Sequence, residues 1–133
     1  MTLISWSGQY LIGNEVIDSE HQELFRLIND FHSRWLEKRQ PHEIAKVLNG
    51  LIAYAEMHFR HEETIMEEAG FALLDAHRQE HEAMIDTIFA LQKSYEEGSL
   101  RLEMETMKFV KSWLVQHILD TDYRFRDFLH RAR

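Results

Sequence analysis

Apolar residues recur along this chain in alternating steps of three and four, the period of helices that bury one stripe each. Four such stretches can be traced. The first runs from about Asp18 to Glu37, with Ile17, His21, Leu24, Ile28, Phe31 and Trp35 on its seam and Asp18 or Ser19 as its N-cap. The second opens near Pro41 and follows Ile44, Leu48, Leu51, Ala55, His58, Glu62 and Ile65 to a stop at Gly70. Asn49-Gly50 could be read as a turn, but the stripe passes through it in phase, so the helix continues at a cost of about 1 kcal/mol for the glycine. The third spans about Leu73 to Glu97 on Leu74, His77, His81, Met84, Ile88, Leu91 and Tyr95, and Gly98-Ser99 closes it. The fourth runs from about Ser99 to Leu129, with Met107, Val110, Leu114, His117, Thr121, Phe125 and Phe128 inward. Residues 1–16 lack this period and form an arm whose aromatic side chains cover a hydrophobic edge. Four long helices with short connections, such as Lys38 to Pro41, predict an all-α, up-down-up-down antiparallel four-helix bundle of one domain over residues 1–133, the bundle itself at about 18–131.

The seams contain residues that do not belong in an apolar core. His21, His58, Glu62, His77, His81 and His117 lie on the stripes, and Asp122 lies one position beside one. Residues four apart lie about 40° apart on a helix, so His58/Glu62 and His77/His81 can each serve one site. Antiparallel packing also puts all seven at one end of the bundle, because His21 is early in its helix, His58 and Glu62 late, His77 and His81 early and His117 late. Buried ionisable groups are costly without a partner, and a metal centre is the partner that satisfies all seven. One spacing is irregular. His117 and Asp122 are five apart, about 140° on a regular helix, so a local widening of π type is expected between them.

Seven ligands exceed what one ion takes and suit two. If both carboxylates bridge together with one solvent-derived oxygen, three histidines complete six contacts on one ion. Two histidines then leave the other with five and an open position. A lone histidine on a seam is usually a satisfied core residue; five that agree in phase and level are not. His32, His42, His61 and His130 fall outside this agreement and read as peripheral or exposed, as do Glu63, Glu67 and Glu68.

The chain has 133 residues, 44% hydrophobic and 29% charged, with one proline, five glycines and no cysteine, which is an ordinary globular composition. The missing cysteine excludes disulfides, iron–sulfur clusters and thiolate zinc sites. A net charge of −8 argues against nucleic acid and against anionic membrane surfaces as partners. No stretch has the length of a membrane span and no signal peptide is visible, so a cytoplasmic location is expected.

The stretches Ile17-Asp18-Ser19-Glu20-His21, His58-Phe59-Arg60-His61-Glu62-Glu63, His77-Arg78-Gln79-Glu80-His81 and Trp113-Leu114-Val115-Gln116-His117, continued to Asp122, resemble the hemerythrins, specifically the single-domain bacteriohemerythrins. The resemblance implies two non-heme iron ions. His77, His81 and His117 would hold the six-coordinate iron, and His21 and His58 the iron with the vacancy. Glu62 and Asp122 would bridge them with an oxo or hydroxo group. It implies reversible O₂ binding rather than an enzyme, with an O₂-consuming enzyme as a recipient. An O₂ sensor, and a di-iron enzyme acting on O₂, peroxide or nitric oxide, are the alternatives. A two-metal hydrolase would need a substrate cleft that a small bundle hardly offers. Leu114 is the first choice for the wall of the O₂ pocket, followed by Phe59, Trp113 and Ile118, and no Lys, Cys or further carboxylate lies on the stripes beside the open site.

Overall fold

The computed structural model describes residues 3–37, 41–97 and 104–131. Its helices are α1 (Glu15–Leu36), α2 (Pro41–Glu68), α3 (Leu74–Glu96), α4 (Met104–Gln116) and α5 (Tyr123–Arg131), with a π-helical segment, His117–Asp122, joining the last two into one rod. They form the antiparallel four-helix bundle that the seams predict. Helix α2 runs unbroken through Gly50. It ends before Gly70, whose φ of 73° lies in the left-handed region; the Gly70 and Phe71 amides donate back to Glu67 and Met66 and close the last turn. The Lys38–Gln40 connection, the Gly98-Ser99 stop and the predicted start of the fourth helix lie outside the described residues, as do the side chains of Ile44, Leu91, Tyr95 and Met107.

Two expectations near α1 need correction. The helix begins at Glu15, and its cap is Asn14, whose side chain accepts from the Ile17 amide. Asp18 is buried within the helix and accepts from the Ile12 and Gly13 amides at 2.8 and 3.2 Å, which fixes the end of the arm. Gly13, at φ 94°, makes the turn this requires. Asn29 pins the other end, accepting from the Leu3 and Ile4 amides and donating to the Ile4 carbonyl. Between the pins, Trp6 and Tyr10 pack on Phe25, as the aromatic content of the arm predicts. His32 is also not peripheral. It is buried at 2% exposure beside Trp35, and neither ring nitrogen has a hydrogen-bond partner among the described residues.

The main core joins Ile12, Ile17, Leu24, Phe25 and Ile28 to Leu51, Ala55, Met66, Leu114, Ile118 and Phe125. Phe59, Met84 and Ile85 form a second cluster between α2 and α3. No helix among the described residues is long and apolar enough to cross a membrane.

Candidate metal centre

Each helical rod sends polar side chains into one buried volume. Helix α1 supplies His21, α2 supplies His58 and Glu62, α3 supplies His77 and His81, and the π segment supplies His117 and Asp122; all seven are at most 4% exposed. The π segment answers the awkward five-residue spacing, because its i→i+5 bonding returns residues five apart to one face.

The carboxylates are shared in a particular way. Glu62 Oε1 lies 2.5 Å from His77 Nε2, 3.3 Å from His81 Nε2 and 3.9 Å from His117 Nε2. Its other oxygen, Oε2, lies 3.1 Å from His58 Nε2 and 3.3 Å from His21 Nε2. Asp122 repeats the division: Oδ1 is 3.0 Å from His77 Nε2 and 3.3 Å from His117 Nε2, whereas Oδ2 is 3.2 Å from His21 Nε2. The donor atoms thus fall into a three-histidine half and a two-histidine half, with one oxygen of each carboxylate turned to each half.

Apart from the hydrogen bond between His77 Nε2 and Glu62 Oε1, these contacts are close but poorly aligned as hydrogen bonds. His21 Nε2, Glu62 Oε2 and both Asp122 oxygens are buried without a hydrogen-bond partner among the described residues. His81 Nε2 and His117 Nε2 approach to 3.1 Å. Lone pairs directed at common points rather than at protons are what a metal-ligand set requires, so the residues present fit a pair of ions.

Without metal, the electrostatics run the other way. Burial disfavours the charged imidazoles of His21 and His77, but Asp122 and Glu62 beside them outweigh it and raise both pKa values to about 9. The same opposition raises His117 to about 10. Burial would raise the Glu62 carboxyl, and the surrounding imidazoles hold it well below the usual range; Asp122 is lowered by the same neighbours. Raised histidine pKa values stabilise the fold fully below the unfolded value of about 6.5, and this contribution is lost as pH rises through the folded values. Metal-free protein is therefore expected to lose stability from about pH 6.5 to pH 10, by up to about 1.4 kcal/mol per pH unit for each extra proton bound. Metal must displace these protons, so loading at neutral pH should release acid, which a pH-stat measures directly.

A second layer orients the rings. His58 Nδ1 hydrogen-bonds Glu20 Oε1 at 2.9 Å, and Glu20 Oε2 lies 2.7 Å from Nδ1 of the exposed His61. His81 Nδ1 pairs with Glu63 Oε2 at 2.8 Å. Glu63 is therefore buried and not solvated as expected, and Glu20, from outside the stripes, stands behind the two-histidine half. Both residues were missed because they lie off the stripes. Their sequence signal is adjacency: Glu20 precedes His21 and Glu63 follows Glu62, each turned about 100° toward the neighbouring helix.

An apolar cavity of about 80 Å³ lies beside the site. Leu114, Phe59 and Trp113 line it; Ile118 is buried in the main core instead and is not part of the lining. Leu24 and Ala55, about one turn from His21 and His58, line it as well and were not foreseen. Phe59 stacks on His81 at 4.1 Å and Trp113 on His117 at 4.6 Å, so two of the expected pocket residues also brace the three-histidine half.

A helical bundle with a buried set of five imidazoles and two shared carboxylates has the ligand set of a non-heme metal-binding protein and could hold a pair of ions. Residues 12–129 match the family model "Hemerythrin HHE cation binding domain". The bacteriohemerythrin of Methylococcus capsulatus is 35% identical over 124 residues, 92% of this chain and 93% of that protein. A bacteriohemerythrin of Pseudomonas aeruginosa is 30% identical, covering 99% and 85%. A hemerythrin crystallised in wild-type form superposes with a TM-score of 0.84 at 32% identity, over 94% of this chain and 96% of that one. The chain belongs to the hemerythrin family, whose members bind O₂ at non-heme iron.

Proposed function

We propose that this chain binds O₂ reversibly at a di-iron centre held by His21, His58, Glu62, His77, His81, His117 and Asp122, and that it stores O₂ or delivers it to an O₂-consuming enzyme. The observation that carries the reading is the division of each carboxylate between a three-histidine and a two-histidine half. Glu62 and Asp122 are the residues suited to bridging, with an oxo or hydroxo group as third bridge, and His21 and His58 to the ion with the open position. When bound, the iron pair supplies the redox electrons and the coordination position on which O₂ binding depends.

The protein's own contribution is to hold, exclude and withhold. The imidazoles bind as neutral donors, and the two carboxylates offset part of the metal charge in a buried volume. Among the described residues, the cavity lining supplies no carboxyl, hydroxyl, thiol or amine that could hand a proton to a bound ligand. That favours release of O₂ over its reduction. Five imidazoles against two carboxylates also separate the site from carboxylate-rich di-iron oxidases.

Reduced protein carrying two irons per chain should develop visible absorption in air and lose it when O₂ is removed, through repeated cycles. Steady O₂ consumption with a reductant present would instead make it an enzyme, and an iron content near zero in natively isolated material would end the reading.

A further inference from the structure

The two halves of the site differ in what stands behind their histidines. In each half one imidazole has its outer nitrogen on a carboxylate: His58 on Glu20, and His81 on Glu63. Nothing of the kind supports His21 or His117. Their outer nitrogens have no hydrogen-bond partner among the described residues, and Glu80 stops 3.9 Å from His117 Nδ1.

The two carboxylates carry the same formal charge but not the same effective one. Glu63 is flanked by two guanidinium groups, Arg60 at 3.1 Å and Arg78 at 3.6 Å. Glu20 has no arginine or lysine partner among the described residues; its second oxygen meets His61, a half-exposed imidazole. A carboxylate behind an imidazole makes the ring a stronger donor, and a guanidinium on that carboxylate withdraws part of the effect. The two-histidine half has fewer protein ligands and a carboxylate that meets an imidazole but no guanidinium among the described residues. The three-histidine half has more ligands and a carboxylate on which two guanidinium groups bear, Arg60 shared with Glu82 and Arg78 with Glu67 and Asp75.

Resting on the di-iron reading above, we infer that Glu20 is a positioning residue that selectively secures the metal of the two-histidine half by orienting His58 and raising its basicity. Glu63 serves the other half more weakly, because Arg60 and Arg78 already offset its charge. The pairing compensates for the missing ligand: the ion with fewer donors gets the more basic one. It also makes the open position depend on a residue that never touches the metal.

Cobalt(II) titration of the metal-free chain, followed by visible absorption, tests this without any O₂ chemistry. The wild-type protein should take up two Co²⁺; uptake of none would sink the metal reading itself and not this inference. Glu20→Gln should weaken one of the two binding steps by about 10–100-fold, the usual size of an outer-shell change, and leave the other within about threefold. Glu63→Gln should weaken the opposite step, and by less. Equal weakening of both steps by Glu20→Gln, no weakening, or a larger effect from Glu63→Gln would overturn the inference. If Glu20→Gln does not fold, as judged by circular dichroism of the metal-free chain, the double variant Arg60→Gln/Arg78→Gln reads the same claim from the other side. Freed of its guanidinium partners, Glu63 should tighten the three-histidine step several-fold; an unchanged or weakened step counts against the inference.

Discussion

Replacing Glu62 with glutamine should leave the protein unable to hold a pair of metal ions, with iron falling from two per chain to less than one after dialysis. Among the described residues, Glu62 is the only side chain that faces all four of His58, His21, His77 and His81 within 3.3 Å. An amide keeps the volume but presents an NH₂ group to one half and removes a negative charge from both. The loss should exceed the roughly 10–100-fold that a change behind a ligand produces. Iron determination by elemental analysis checks it, and two retained ions would contradict the assignment of Glu62 as the bridge.

The same substitution should also change the metal-free protein. Asp122 and Glu62 together offset burial for His21 and His77 and lift their pKa values to about 9; without Glu62 those protons bind less tightly. Removing one partner of a buried ion pair costs roughly 3–5 kcal/mol, and the low end applies because an imidazole, unlike a guanidinium, can shed its charge. Thermal melting of metal-free Glu62→Gln at pH 6 should fall by roughly 10 °C. The decline in stability between pH 6.5 and pH 10 should be shallower than in the parent, since fewer protons are lost over that range.

The sequence discloses most of this site because the ligands occupy seam positions, where an apolar residue is the rule. His21, His58, Glu62, His77, His81 and His117 each break a stripe, and the break itself is the signal. Asp122 is legible only as an irregular spacing, and the π segment is its structural counterpart. What stays hidden is everything set by the gap between helices. Glu20 and Glu63 look like surface acids, since nothing in a single helix period says that an off-stripe carboxylate will meet a ring from the next helix. His32 reads as peripheral for the same reason: its burial is settled by tertiary packing around α1, not by its place in a stripe. Ile118 does not line this cavity because, one residue round the rod from His117, its side chain packs in the main core. Leu24 and Ala55 reach the cavity because each lies on a ligand's own seam, about one turn toward the bundle's middle.

Trp113→Ala should shorten the life of the reduced, iron-loaded protein in air by tenfold or more. Trp113 borders two spaces. On its inner side it lines the apolar cavity beside the site, and on its outer side it lines a surface cleft of about 300 Å³ with Glu80, Ser112, Gln116 and Asp120. Between them its indole stacks on His117 with the rings 10° from parallel. Truncation to alanine would join a cavity lined by apolar side chains to a cleft lined by carboxylates and an amide, which admits water and proton donors to a volume built to exclude them. It would also cost stability, about 3 kcal/mol at the low end for a large aromatic because the indole is only partly buried. Stability and lifetime can be separated by Trp113→Phe, which keeps an aromatic wall and should restore most of the lifetime. Decay of the visible band under air, measured for the parent and both variants at matched iron content, gives the comparison. A lifetime unchanged in Trp113→Ala would mean that water reaches the site by another route and that the indole is a brace for His117 alone.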